Sequence, residues 1–193
     1  QAEDGIRDHC VTGVQTCALP ICGLGAASLA NNGPNAFTIA NGAQVLVTNA
    51  TWTAYGNSAS WVAGGSSTIT VASNGFWNSG SDMRLRSNNR VIVDAGSMTV
   101  YQIQMNGSSS SLIITNGGSV STAGRYVNVT LESSGTANSN LVLVSGPNSV
   151  LSPGGFSVGR DGAVNITGYY TGNVYRIENG AVVTTLSFWS INV

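Results

Sequence analysis

Lysine is absent from the sequence, and cysteine and histidine are almost absent. The few that occur lie near the start of the chain: His9, Cys10, Cys17 and Cys22. The rest of the chain therefore lacks soft metal ligands, a Ser-His-Asp or Cys-His nucleophile, and the lysine of a phosphate-binding loop or a Schiff base. We expect neither a metal nor a cofactor.

The segment at 1–22 differs from the rest of the chain in kind. Gln1–Asp8 and Val11–Ile21 are similar to the in-frame translation of two consecutive blocks of a sequencing adapter, and Cys22 lies at the junction. Such a segment is excluded from any inference about the fold. The chain then divides into an adapter-like artefact with its junction at 1–22, an irregular lead-in at 23–35, and a repeat-containing segment at 36–193.

Charged residues make up only 8% of the sequence, and no segment is strongly basic. This excludes the electrostatic footprint of a nucleic-acid-binding protein. No apolar run is long enough to span a bilayer, so we expect no direct membrane insertion. The polar residues are mainly Asn, Ser, Thr and Gly, which are typical of turns and exposed strand faces.

The chain is rich in one recurring pattern, a short apolar strand that runs into a glycine-containing corner, usually Asn-Gly. Leu112–Val120 (Leu-Ile-Ile-Thr-Asn-Gly-Gly-Ser-Val) shows it most clearly. The other segments that share it are Phe37–Val45, Ile69–Trp77, Val91–Met98, Leu141–Val150 and Tyr175–Val183. Their first residues recur at intervals that fall within the range typical of solenoids, about 20–50 residues.

The alternation within each strand predicts which side chains face the core. Leu112 and Ile114, like Val91 and Val93, are two positions apart and should point inward together. Asn-Gly supplies the positive φ that a tight corner needs, and we expect corner Asn side chains to hydrogen bond in ladders. We therefore predict an all-β fold, a parallel β-solenoid of about six irregular coils. A β-sandwich, which also has short alternating strands, is the alternative.

These segments resemble the repeats of autotransporter (type V secretion) passengers and PEP-CTERM-associated bacterial surface proteins. Leu112–Val120 is similar to the half L-x-I-x-N-G-G-x-V. Ile69–Trp77, and Leu141–Val150 together with Gly154–Gly159, are similar to the half V-x-G-x-x-S-x-W … V-G. The sequence departs from the pattern at Asp94–Gly96, in place of Asn-Gly, and at Val150, in place of Trp. The resemblance implies a right-handed β-helical fragment, open at both ends, of a longer secreted or surface-displayed bacterial protein.

We expect a non-enzymatic structural or adhesive segment, located outside the cell or at its surface. The alternative is a carbohydrate-binding or polysaccharide-degrading β-helix module, and glycoside hydrolysis would need two carboxylates in reach of one another. The available acids after Cys22 are Asp82, Asp94, Glu132, Asp161 and Glu178. Asp82 and Arg84 are two positions apart in the chain, so in a strand their side chains would lie on the same face.

Aromatic residues are the candidate contacts for sugar rings. The candidate glycan-stacking residues are Trp52, Trp61, Trp77 and Tyr101. A Trp just past a corner can equally close the core, and both interpretations stay open here. The expected partners are host or environmental glycans, surface proteins, and other copies of the chain through open solenoid ends.

Overall fold

The structure is a computed structural model. It describes residues 26–29, 36–40, 44–48, 51–54, 59–63, 66–72, 74–79, 82–85, 87–105, 107–122, 126–129, 138–158 and 171–185. The adapter-like segment at 1–22 lies outside the described residues, and the strands before Ser66 are described by their backbone alone.

The described part of the chain forms strands and no helix. It therefore contains no helix long and apolar enough to cross a membrane. In chain order the strands are β1 (Ala26–Leu29), β2 (Ala36–Ala40), β3 (Gln44–Thr48), β4 (Thr51–Ala54), β5 (Ala59–Ala63), β6 (Thr68–Ala72), β7 (Phe76–Ser79), β8 (Met83–Leu85), β9 (Arg90–Asp94), β10 (Ser97–Thr99), β11 (Ile103–Met105), β12 (Ser111–Thr115), β13 (Ser119–Ser121), β14 (Tyr126–Val129), β15 (Leu141–Ser145), β16 (Val150–Ser152), β17 (Gly155–Val158), β18 (Val174–Glu178) and β19 (Val182–Val183).

The strands form three sheets, and neighbours within a sheet are three strands apart in the chain. Sheet A is β3-β6-β9-β12-β15-β18, sheet B is β1-β4-β7-β10-β13-β16-β19, and sheet C is β2-β5-β8-β11-β14-β17. All pairings between these strands are parallel. The described strands thus contradict the β-sandwich alternative, which needs antiparallel pairs, and are compatible with a β-solenoid.

The core is built from columns of apolar side chains that repeat once per strand of each sheet. In sheet A one column follows the register Ile69–Val91–Leu112–Val142–Tyr175. Leu112 and Ile114 are 0% exposed, as are Val91 and Val93, so the predicted inward positions are confirmed. Each such side chain contributes about 1.5–3 kcal/mol through burial.

Two of the predicted repeat positions are wrong. Leu141 pairs with Ser111 and lies on the outer face, whereas Val142 and Val144 face the core. Leu141–Val144 is apolar at every position, so alternation could not distinguish its two faces. Phe37 lies in β2 of sheet C, whereas Val45 occupies the equivalent place in sheet A. The same sequence pattern of strand, corner and strand occurs between sheets C and A as well as between sheets A and B, so the pattern alone could not distinguish the two.

The lead-in at 23–35 is not irregular throughout. Ala26–Leu29 forms β1, which pairs in parallel with Thr51–Ala54. Alanine has a weak preference for strands, and the sequence of β1 carries no strand signal of its own. Pairing with Thr51–Ala54 in sheet B supplies its backbone hydrogen bonds, so the stacked strands that the structure describes already include Ala26–Leu29.

The Asn-Gly segments join sheet A to sheet B, and we call them the A-to-B corners. Asn74, Asn116 and Asn179 have φ of 64°, 52° and 56° there, and Ala95 adopts 54° in the departing Asp-Ala-Gly corner. The predicted hydrogen bonds of corner Asn side chains along the stack are present here, but they do not run from Asn to Asn. Asn116 Nδ2 donates to Asp94 Oδ1, and Asn179 Nδ2 donates to Ser145 Oγ. In each case the acceptor is the last residue of the neighbouring strand of sheet A.

Candidate functional site

The structure describes the side chains of two of the four aromatic residues expected to stack on sugars, Trp77 and Tyr101, and these two do not share a surface. Trp77 is 0% exposed in the core, so the stacking interpretation is wrong for it and the core-closing interpretation is confirmed. Tyr101 is 38% exposed and follows closely after β10. Trp52 pairs in register with Trp77 in sheet B, and Trp61 pairs with Arg84 in sheet C; their side chains lie outside the described residues.

The expected pairing of Asp82 with Arg84 is confirmed. Asp82 Oδ2 accepts hydrogen bonds from Arg84 Nη2 at 3.0 Å and Arg84 Nε at 3.3 Å. Gln104 Nε2, on the neighbouring strand of sheet C, lies 3.5 Å from the same oxygen. This carboxylate is therefore neutralised by a guanidinium from the same segment of the chain, which suits a structural ion pair better than a general acid.

The other described carboxylates are also engaged. Asp94 accepts from Asn116, and Glu178 Oε2 accepts from Arg176 Nε at 2.6 Å. Asp94 and Glu178 lie at the same end of sheet A but three strands apart, which is roughly 14 Å at the usual strand spacing. Glycosidases need about 5–9.5 Å between their carboxyl groups. Glu132 and Asp161 lie outside the described residues.

Among the described residues no group of three or more His, Cys, Asp or Glu side chains is placed to hold a metal ion. The most extensive arrangement of hydrogen-bonded polar groups is instead made of hydroxyl, amide and guanidinium groups. It lies where sheet C passes into sheet A, and we call these connections the C-to-A corners. Their described residues are 66–67, 87–89, 107–110, 138–140 and 171–173.

One position of each C-to-A corner has a left-handed backbone. The residues at this position are Ser66, Asn88, Ser109, Ser139 and Gly172, with φ between 59° and 69°. All five are exposed. Serine adopts positive φ uncommonly, so the surrounding hydrogen bonds must hold these corners in place.

The residue that follows each left-handed position forms a buried hydrogen-bond ladder, the inner ladder. Ser67 N donates to Asn89 Oδ1 at 2.9 Å, and Asn89 N lies 3.3 Å from Ser110 Oγ. Ser110 N donates to Asn140 Oδ1 at 2.8 Å, and Asn140 N donates to Asn173 Oδ1 at 2.9 Å. Each bond satisfies a backbone donor that the turn would otherwise leave unpaired.

A second ladder, the outer ladder, precedes the left-handed position and runs in the opposite sense. Ser108 N donates to Ser87 Oγ at 3.1 Å, Asn138 N donates to Ser108 Oγ at 3.0 Å, and Thr171 N donates to Asn138 Oδ1 at 2.8 Å. The two ladders together fix the C-to-A corners relative to one another. Neither ladder was predicted from the sequence. Polar doublets, such as Ser66-Ser67 and Asn88-Asn89, precede β6, β9, β12 and β15.

The C-to-A corners and the outer face of sheet A enclose an open polar groove of about 340 Å³. It is lined by Ser66, Thr68, Asn88, Asn89, Arg90, Ser109 and Ser111. Arg90 occupies the middle strand, since it pairs in register with Thr68 on one side and Ser111 on the other. Its exposed side chain has no carboxylate partner among the described residues.

The groove thus combines one guanidinium, able to bind a carboxylate through two parallel hydrogen bonds, with flanking hydroxyl and amide groups. Its described lining contains no carboxylate, histidine or cysteine, and its guanidinium, hydroxyl and amide groups could bind a ligand. No protein-family model, curated protein or solved structure matches the chain.

Proposed function

We propose that the chain winds as a right-handed parallel β-solenoid of about six irregular coils. The parallel pairing within all three sheets supports this proposal, as does the separation of neighbouring strands by three positions in the strand order. The inward columns support it as well, because a repeat unit of this size buries its apolar face only by stacking on its neighbours.

The function that the geometry supports best is that of a structural or adhesive repeat segment of a secreted bacterial surface protein, without enzymatic activity. Its place would be outside the cell or on the cell surface. The observation that carries the proposal is the division between a continuous apolar interior and an exterior whose corners and sheet B face are rich in Ser, Thr and Asn. The resemblance to autotransporter-passenger and PEP-CTERM-associated repeats points the same way.

The proposed partners are glycans or surface proteins, and other copies of the chain. Self-association is supported by three large apolar side chains on the last two described strands: Val174 at 44%, Ile177 at 50% and Val182 at 49% exposed. Exposed strand edges with apolar side chains favour pairing with a second chain.

A carbohydrate-binding module is the second candidate, and the polar groove around Arg90 favours it. Polysaccharide degradation is less well supported, because Asp82, Asp94 and Glu178 are each engaged by a neighbouring side chain. Binding and adhesion are compatible roles for one surface.

The test of the proposed function is to assay attachment and turnover together. Beads coated with the full chain are applied to polysaccharide-coated surfaces, and the release of reducing sugars into solution is measured. We expect attachment above that of beads coated with the same chain after heat unfolding, with no release of sugar. Release that is abolished by Asp82→Asn or Asp94→Asn would contradict the proposal by making the chain an enzyme.

A further inference from the structure

Arg90 differs from the other arginines whose side chains are described. Arg84 is paired with Asp82 at 3.0 Å, and Arg176 is paired with Glu178 at 2.6 Å. Arg90 is exposed, and among the described residues no carboxylate lies within ion-pair distance of it. Its guanidinium is therefore available to an anion from solution, whereas those of Arg84 and Arg176 are compensated internally.

The surroundings of Arg90 are polar on both sides along the sheet. Thr68 and Ser111 flank it in register on the adjacent strands, at about 4.8 Å on either side. Ser66, Asn88 and Ser109 are exposed along the same edge of the groove. An extended ligand that crosses the three strands, in the direction in which they stack, would meet a hydrogen-bonding group on each outer strand and a cation on the middle one.

The floor of this groove is held in place before any ligand arrives. Asn89, the residue before Arg90, is 1% exposed and receives the Ser67 N–H while its own N–H faces Ser110 Oγ. Binding groups on an ordered backbone lose less conformational entropy when a ligand binds. The Arg90 groove is thus a preorganised row of donors and acceptors.

We propose that the Arg90 groove binds a carboxylate-bearing polysaccharide, a polyuronate, with one uronate carboxylate on the Arg90 guanidinium and sugar hydroxyls on the flanking Ser, Thr and Asn side chains. A guanidinium matches a carboxylate in a bidentate geometry. Neutral glycans are usually held by aromatic stacking, and no aromatic residue lines the described groove. One cation is too few for nucleic acid, whose affinity grows with the number of phosphates neutralised.

The polyuronate proposal names a ligand class for the adhesive surface and rests on the proposed function. Its test uses the purified full chain, oligogalacturonate as the probe and isothermal titration calorimetry at low salt. We expect binding to oligogalacturonate, at least about tenfold weaker binding to the fully methyl-esterified oligomer, and loss of affinity as salt is raised.

Arg90→Gln should weaken oligogalacturonate binding at least about tenfold, whereas Arg176→Gln, the matched control on the same sheet, should bind as the wild type does. Arg90→Lys should fall between them, because lysine keeps the charge and loses the bidentate geometry. Ser111→Asp should weaken binding as Arg90→Gln does, since it places a competing carboxylate beside Arg90. Unchanged melting temperatures would show that the variants are folded.

Equal binding by Arg90→Gln and the wild type would overturn the proposal, as would equal binding of the esterified oligomer or the absence of binding. Equally tight binding of an oligoglutamate peptide would also overturn it in favour of an acidic protein partner. None of these outcomes removes the structural and adhesive role, which is tested separately by attachment without sugar release.

Discussion

At the scale of single residues, the direction in which a side chain points decides its effect on stability. Ile114 is 0% exposed, whereas Ile113, its neighbour in β12, lies on the outer face. Ile114→Asp would leave a carboxylate in the core and should cost more than about 4 kcal/mol. Ile113→Asp, the matched control, should cost less than about 1 kcal/mol.

Thermal unfolding of the two variants measures this difference. Because 1 kcal/mol corresponds to about 2–4 °C at this chain length, Ile114→Asp should melt well below Ile113→Asp, by at least roughly 6 °C on the same scale, or be unfolded. Similar melting temperatures for both variants would contradict the inward-outward assignment of sheet A.

Tyr175 is the residue whose ionisation should couple to folding. Its hydroxyl donates to Val127 O at 2.7 Å, and its ring lies 5.2 Å from that of Phe156. Burial raises the pKa of Tyr175 above its ordinary value of 10.0. Above the ordinary pKa the unfolded state releases this proton while the folded state still holds it. The contribution of the Tyr175 phenol to the free energy of unfolding is therefore complete below the ordinary pKa and is lost as the pH rises above it.

Tyr175→Phe should therefore lower the free energy of unfolding by about 1 kcal/mol at pH 7 and make the alkaline loss of stability shallower. Urea unfolding at pH 7 and pH 11 measures both effects. Tyr101→Phe is the matched control, because it removes the same hydroxyl from a residue that is 38% exposed. An identical pH dependence for Tyr175→Phe and the wild type would show that the phenol is not buried.

At the scale of elements, the A-to-B corners pack closely on the strands behind them. A Cβ built on Gly118 would collide with Val93 O and come within 2.9 Å of Thr115 O, whereas one on Gly117 meets nothing closer than 3.8 Å. Gly118→Ala should destabilise the chain by about 1–3 kcal/mol. Gly117→Asn should stay within about 1 kcal/mol, because Asn tolerates the left-handed φ of 79°.

Urea unfolding compares the two glycine variants. If Gly117→Asn were the more destabilising of the two, the close approach of the Gly118 backbone to sheet A would be contradicted, and positive φ would be the dominant constraint at the corner instead.

Strand alternation and recurring corners were enough to predict the parallel stacking and the inward pairs of β9 and β12. Alternation failed for β15, where Leu141–Val144 is apolar at every position and only the alignment of Asn140 with Ser110 determines which side faces the core. It failed for β1, because the hydrogen bonds that make Ala26–Leu29 a strand come from Thr51–Ala54, which is distant in the sequence.

The polar groove could not be predicted from the sequence either. Arg90, Thr68 and Ser111 are far from one another in the chain, and the strand pairings bring them together. Only the register of three strands places one guanidinium between two hydroxyls. The polar doublets before β6, β9, β12 and β15 indicated a corner, and nothing in them indicated the buried ladder that supports the groove.

At the scale of the whole molecule, stability should depend on contacts between adjacent repeats, as in other stacked-repeat proteins. The parallel columns imply that distances along the stack grow by one strand spacing per repeat. Leu46, Thr70, Ile92, Ile113, Leu143 and Arg176 share one register across sheet A. From Thr70 onward these residues lie on the outer face, where substitution by a spin label leaves the core intact.

The most direct test is a pair of distances measured by pulsed electron paramagnetic resonance in the full chain, after Cys10, Cys17 and Cys22 are replaced by serine. Labels at Thr70 and Arg176 should be about 19 Å apart, and labels at Leu46 and Arg176 about 24 Å apart, allowing for the label arms. Parallel stacking requires the second distance to exceed the first by about one strand spacing. A second distance equal to or shorter than the first would contradict it.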